Sequence, residues 1–123
     1  MTGNPEFGRK IRQLREAKKR SDPNYSLRKF AQAIGVSATF LSRMETGDFD
    51  PPAPERIKKM AELLDVNPDE LLALADKTDP DLQEIIKVLP EAMADFLRTA
   101  RDVKISDAEL RRITTRLRRR KGQ

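Results

Sequence analysis

Apolar residues recur every three to four positions along most of this chain, which is the period of an amphipathic α-helix. Over the first 75 residues this pattern predicts five short helices, beginning with residues 6–19 and ending with residues 68–75. Pro54 and Pro68 each suit the first position of a helix, where a proline leaves no backbone hydrogen bond unmade. After residue 80 the pattern resumes and predicts three further helices. The hydrophobic pattern therefore predicts an all-α protein.

Residues 26–47 are the most informative part of this pattern, because they predict two short helices joined by a tight turn. Ser26 and Ser37 each suit the N-terminal cap of a helix, since a hydroxyl oxygen accepts a free backbone N–H there. Gly35 can adopt a left-handed conformation, which lets the chain turn within about three residues. One apolar face joins the two helices and consists of Phe30, Ile34, Val36, Leu41 and Met44. Together these features are typical of a helix-turn-helix, which places one helix in the major groove of DNA.

The stretch resembles the lambda-repressor/Cro-like family, often called Xre-type. The resemblance rests on Leu14-Arg15, Ser26-Leu27-Arg28, Phe30-Ala31, Ile34-Gly35-Val36-Ser37, Leu41-Ser42-Arg43-Met44-Glu45 and Gly47, and it continues through residues 54–72. It implies a five-helix DNA-binding domain over residues 6–76, bound to double-stranded DNA. The chain departs from the family in the longer connection at residues 20–25, which we expect to be a loop.

The resemblance implies that the third helix meets DNA with its outward face. Residues expected to face the major groove are Ser37, Ala38, Thr39, Ser42 and Arg43, and those expected to approach the backbone are Arg28, Lys29, Thr46 and Gly47. Arg43 is the candidate for a bidentate guanine contact, because its fork of donors matches the O6 and N7 acceptors.

Two other residues of the third helix have alternative roles. Phe40 touches a thymine methyl or a sugar, or else it covers a dimer partner or a loop. Glu45 is a candidate base reader, whereas the family resemblance implies a structural pair with Arg15 of the first helix. Such a partly buried pair would fix the third helix against the first.

The three C-terminal helices, over residues 81–120, follow a polar linker at residues 76–80. Their apolar stripe is too small to close a core alone, so we expect a homodimer in which a second copy covers it. The stripe consists of Leu82, Ile85, Ile86, Leu89, Phe96, Leu97, Leu110, Ile113 and Leu117. The alternative is a partly disordered, charged tail. Residues Arg118–Lys121 either bind phosphate or form a solvated basic end of a helix. The second interpretation is preferred, because the helix dipole favours positive charge at that end.

Residues 69–113 also resemble the tails of short Xre-type repressors that are paired with a zinc metallopeptidase. The resemblance rests on the segments 69–75, 82–86, 90–98 and 106–110. It implies that cleavage of the C-terminal helices inactivates the repressor. The alternative function is an antitoxin-type protein, whose C-terminal helices neutralise a toxin encoded nearby and which binds DNA only to regulate its own operon.

Composition limits the chemistry that the chain can perform. It has 123 residues and contains no His and no Cys, which removes imidazole catalysis, thiol nucleophiles, disulfides and zinc sites built on those residues. Asp48 and Asp50 are spaced like the first ligands of a calcium loop, but the later ligands are missing. We therefore expect no enzyme, no metal and no cofactor.

Charge is distributed unevenly along the chain, whose formal net charge is +5. Residues 1–30 contain nine Lys/Arg and three Asp/Glu, whereas residues 31–76 contain four and nine. This polarity suits a protein that turns one side toward phosphate. Without an apolar run of about 18 residues or a signal-peptide pattern, the expected location is the cytoplasm. The expected function is a dimeric transcriptional repressor of a palindromic operator.

Overall fold

The computed structural model describes residues 3–122, and every regular element in that range is a helix. The helices are α1 (Pro5–Lys19), a short 3-10 helix (Pro23–Tyr25), α2 (Leu27–Ile34), α3 (Ala38–Thr46), α4 (Pro54–Leu64), α5 (Pro68–Leu74), α6 (Pro80–Val88), α7 (Pro90–Asp102) and α8 (Asp107–Lys121). The all-α prediction is therefore confirmed. The chain divides into two compact units, the first ending at Pro80 and the second beginning at Asp81.

Local side-chain chemistry sets the ends of the helices around the central turn. The hydroxyl oxygen of Ser26 accepts the backbone N–H of Lys29 at 3.3 Å, and that of Ser37 accepts the N–H of Phe40 at 3.0 Å. Gly35 ends α2 with a φ of 77°, in the left-handed region where a side chain would be strained. The caps and the turn expected from the sequence are thus present.

The core of the first unit is a single apolar cluster to which all five of its α-helices contribute. Its largest fully buried side chains are Phe7, Phe30, Ile11, Leu41, Met44, Ile57, Met60 and Leu72. Burying a side chain of this size stabilises the fold by about 1.5–3 kcal/mol relative to leaving it in water. Of the apolar face expected to join α2 and α3, Phe30, Ile34, Leu41 and Met44 are buried and Val36 is half-buried.

Gly8 allows α1 to approach α3 closely. A Cβ atom built on this buried glycine would overlap the backbone carbonyl oxygens of Met44 and Glu45. Any larger residue would push the two helices apart, and α3 is the helix that carries the predicted DNA-binding face.

The connection between α1 and α2 is more ordered than the predicted loop. Residues 23–25 form a 3-10 helix, so the loop prediction is wrong for this part of residues 20–25. Asp22 starts the turn by accepting the N–H of Asn24 at 2.9 Å. Tyr25 then anchors it, because its hydroxyl donates to the carbonyl oxygen of Leu63 at 2.6 Å and its ring stacks on Phe30.

The second unit consists of α6, α7 and α8, and none of these helices has a buried residue. Ser106 begins α8 with a capping box, in which its hydroxyl oxygen accepts the N–H of Glu109 and the Glu109 carboxylate accepts in return. The large exposed apolar side chains of this unit are Leu82, Ile85, Val88, Leu89, Phe96, Leu97, Val103, Leu110 and Leu117. Over residues 3–122, no helix is both long enough and apolar enough to cross a lipid bilayer.

Candidate nucleic-acid interface

Helix α3 separates a buried face from an exposed polar face. Leu41, Met44 and Glu45 point into the first unit, whereas Thr39, Arg43 and Thr46 are exposed. A shallow concave surface runs along the exposed side and is lined by Leu27, Ala38, Thr39, Ser42, Arg43, Thr46 and Asp48. Five of the residues predicted to contact DNA therefore share one surface.

Of the other predicted contact residues, some lie beside this concave surface and others cap or end a helix. Arg28 and Lys29 are exposed on the first turn of α2 but do not line it. The Ser37 oxygen is occupied as the cap of α3, and Gly47 ends that helix with a φ of 90°. The Thr46 hydroxyl lies 3.0 Å from the carbonyl oxygen of Arg43 and 3.2 Å from a carboxylate oxygen of Asp48, so its one proton is shared between these two acceptors.

Arg43 lies over the ring of Phe49, a residue of the loop after α3. The guanidinium carbon is 5.7 Å from the ring centroid, within the range of a cation–π contact. Phe49 in turn packs against Phe40, with ring centroids 5.7 Å apart. Of the roles considered for Phe40, the structure therefore shows the one in which it covers a loop. The stack limits the orientations of Arg43. Among residues 3–122, no carboxylate forms an ion pair with Arg43.

The sequence pattern did not single out Phe49, although one signal was available. It is an aromatic residue in an otherwise polar loop that follows directly on the predicted DNA-facing helix. Phe49 is 39% exposed and lies beneath the guanidinium group of Arg43.

Glu45 forms a buried, bidentate ion pair with Arg15 of α1. The Arg15 Nε and Nη2 atoms donate to the two carboxylate oxygens at 2.8 and 2.9 Å, and Nη1 donates to the carbonyl oxygen of Tyr25 at 3.1 Å. The two residues are only 3% and 5% exposed. The hydrogen bond to the Glu45 carboxylate raises the pKa of Arg15 above its ordinary value. Glu45 therefore faces the interior and locks α3 to α1.

A second long-range polar contact stabilises the turn between α2 and α3. The Arg56 Nε of α4 donates at 2.8 Å to the carbonyl oxygen of Ile34, one of the last carbonyls of α2 that lack an intrahelical partner. The two residues are 22 positions apart in the sequence, and the apolar pattern gave no signal for this contact. It fixes the end of α2 immediately before the turn that aims α3.

Asp48 and Asp50 make protein contacts of their own. Asp48 accepts the Thr46 hydroxyl at 3.2 Å, and Asp50 accepts the backbone N–H of Gly3 at 2.6 Å. Within residues 3–122, no group of three or more acidic side chains is arranged as metal ligands.

The fold and this surface together define a helix-turn-helix DNA-binding unit. A family model described as "Helix-turn-helix domain" matches residues 6–74, more than half of the chain. The protein therefore belongs to the helix-turn-helix family of DNA-binding transcriptional regulators, and the Xre-type resemblance is confirmed.

Two known proteins are similar to this chain. One is the HTH-type transcriptional regulator RghRB of Bacillus subtilis (strain 168), itself uncharacterised, which is 33% identical over 79 residues. That match covers 64% of this chain, and the chain spans about half (53%) of the length of the relative. The other is a solved structure titled as the SinR protein/SinI protein complex, with a TM-score of 0.46 and 26% identity. This match covers 95% of the present chain and 99% of the matched one.

Proposed function

We propose that this protein is a dimeric repressor that binds a palindromic operator through the exposed face of α3. The observation that carries the proposal is the concave polar surface along α3, on which Arg43 has no acidic partner among residues 3–122 and is supported by Phe49. Arg43 reads a guanine, while Thr39 and Ser42 contact neighbouring bases or sugars. Arg28 and Lys29 contact phosphates, which position the helix without carrying sequence information.

Selection of bound duplexes from a random DNA library tests this proposal. The expected product is an inverted repeat whose half-site centres are about 34 Å apart, one turn of DNA. Affinity for that operator should fall steeply as salt rises, because phosphate contacts release counterions. A selection that yields no recurring sequence, with binding indifferent to salt, would contradict DNA recognition.

Replacing Arg43 with alanine is expected to remove sequence discrimination. The loss should be about 1–3 kcal/mol on the operator and much smaller on scrambled DNA, because only the operator offers the guanine acceptors. Arg43→Lys is the matched control, since it keeps the charge but loses the fork. Lys29→Ala should instead weaken both duplexes equally. Equal losses on both duplexes for Arg43→Ala would make it a phosphate contact.

The exposed apolar stripe of the second unit supports dimerisation. Leu82, Ile85, Leu89, Phe96, Leu97, Leu110 and Leu117 are between 38% and 61% exposed in a single chain. Ile86 and Ile113 are half-buried. Large apolar side chains exposed in this number are typical of a surface that a protein partner covers. In our proposal a second copy of the chain covers these side chains, so that two α3 helices are linked within one dimer.

The C-terminal helices also offer a means of releasing the operator, by proteolysis. In our proposal a zinc metallopeptidase encoded nearby cuts the connection between α7 and α8, where Val103 is 68% exposed. Short polar helices and their connections open locally at small cost, which a protease requires. Incubation with that peptidase should give a cut between residues 96 and 110 by mass spectrometry, together with loss of the operator complex. A cut chain that still holds its operator would contradict this mode of release.

The antitoxin-type alternative uses the same apolar stripe for a different partner. The neighbouring gene separates the two functions: a small toxin favours the antitoxin, and a zinc peptidase favours the released repressor. If the protein is an antitoxin, it should co-purify with the toxin, which would cover the apolar stripe. Operator binding would then serve only autoregulation.

A further inference from the structure

Helix α8 carries an arginine-rich face that the proposed function does not use. All seven cationic residues of this helix lie at or after Arg111, whereas its two acidic residues, Asp107 and Glu109, lie before it. One shallow groove on its surface is lined by Arg111, Arg112, Thr115, Arg116 and Arg119. The geometry of 3.6 residues per turn places this groove opposite the apolar residues Leu110, Ile113 and Leu117. Helix α8 therefore presents two separate faces.

Three of the arginines on this face are available to an external anion. Arg111 is engaged, because its Nε donates to the Asp107 carboxylate at 2.7 Å, which raises the pKa of Arg111 above its ordinary value. Arg112, Arg116 and Arg119 are exposed, and none of them forms an ion pair within the part of the chain that the structure describes. Three guanidinium groups without counter-charges thus project from one side of a single helix.

We propose that Arg112, Arg116 and Arg119 form a second phosphate-binding surface, which holds the DNA backbone without reading its sequence. The proposal rests on the proposed function, because the operator is the polyanion that this protein would encounter. The three side chains span about 10 Å of the helix axis. Duplex DNA presents one charge about every 1.7 Å, so several phosphates lie within that length. The guanidinium fork also matches phosphate oxygens in a bidentate manner.

The arrangement favours nucleic acid over an anionic membrane. A helix that lies on a membrane inserts its apolar stripe into the lipid, usually with Trp, Phe or Leu. On α8 that stripe is short, carries no aromatic residue and in our proposal is covered by a second copy of the chain. The arginine face is then directed away from the dimer contact. It remains accessible to a ligand when the dimer has formed.

The test compares two full-length variants that each remove three positive charges from the second unit. Arg112→Gln/Arg116→Gln/Arg119→Gln removes the proposed surface, and Lys87→Gln/Arg98→Gln/Lys104→Gln is the control. Affinities for operator and scrambled duplexes are measured across a salt series. A plot of log affinity against log salt concentration has a negative slope. For the first variant this slope should become less steep by about 0.9 for each phosphate that is no longer neutralised, or roughly 3 per protomer. Both duplexes should weaken by the same factor, and the control should leave the slope unchanged.

Three outcomes would overturn the proposal. The slope could stay at the wild-type value in the arginine variant, or it could fall equally in the control, which would indicate net charge alone. The arginine variant could also bind DNA normally while losing affinity for vesicles that contain phosphatidylserine, which would assign the face to a membrane. Arg43→Ala in the same titrations reports on the proposed function separately, since it changes the operator-to-scrambled ratio, which the α8 variant leaves intact.

Discussion

Replacing Glu45 with alanine is expected to lower the free energy of unfolding of the first unit by about 3–5 kcal/mol. The substitution leaves the Arg15 guanidinium buried without the carboxylate that accepts two of its hydrogen bonds. A domain of this size is stable by only about 5–15 kcal/mol, so much of its stability would be lost. Urea unfolding followed through Tyr25, the one tyrosine of the chain and part of this unit, measures the change directly.

Two control variants distinguish the cost of leaving a buried charge unpaired from the cost of losing an exposed ion pair. Asp65→Asn breaks the exposed contact between the Lys18 Nζ and the Asp65 carboxylate, 2.6 Å apart, and should change stability far less. The double variant Arg15→Met/Glu45→Leu removes both buried charges and should recover most of the loss, because apolar replacements of a buried pair are often neutral or better. A Glu45→Ala loss no larger than that of Asp65→Asn would contradict the structural role of the pair.

The turn between α2 and α3 could be predicted because its determinants are local. Ser37 caps a backbone N–H three residues away, and Gly35 supplies a left-handed conformation that needs no distant partner. The buried faces of α1 and α4 could be predicted for a similar reason, since helical period alone brings their apolar residues to one side.

Apart from the Arg15–Glu45 pair, which the family resemblance implied, the contacts that aim α3 could not be predicted, because helical periodicity does not encode contacts outside one helix. Gly8 has no local reason to be a glycine, and its role appears only once the backbone of α3 lies against it. The bond from Arg56 to the Ile34 carbonyl and the anchoring of Tyr25 on Leu63 are also long-range. The contact of Phe49 with Arg43 depends on how one loop folds back over a helix, which apolar periodicity does not encode. These residues position the site, whereas the pattern predicts only that α3 exists.

Ending the chain at Asp76 is expected to give a folded monomer that binds the operator about 10²–10⁴ times more weakly. Every side chain that is buried in the described structure lies at or before Ala75, so the first unit keeps its core. The weakening arises because two half-sites would no longer be engaged at the high effective concentration that a dimer provides. Analytical ultracentrifugation of the shortened chain and titration of a full operator measure the two effects. A shortened chain that stayed dimeric with full operator affinity would place the interface in the first unit.

Truncation also removes the arginine face of α8, so a second variant is needed to separate the two contributions. Full-length Phe96→Glu/Leu97→Glu places charges in the apolar stripe but keeps Arg112, Arg116 and Arg119. Thr99→Glu, on an exposed position of the same helix, is its control. The Phe96/Leu97 variant should be monomeric and lose affinity for the full operator, yet bind a duplex with one half-site as the wild type does. The chain ending at Asp76 should bind that single half-site more weakly, with a smaller salt slope. Equal half-site affinity in both would leave α8 without a role on DNA, while the difference in full-operator binding would still assign dimerisation to the stripe.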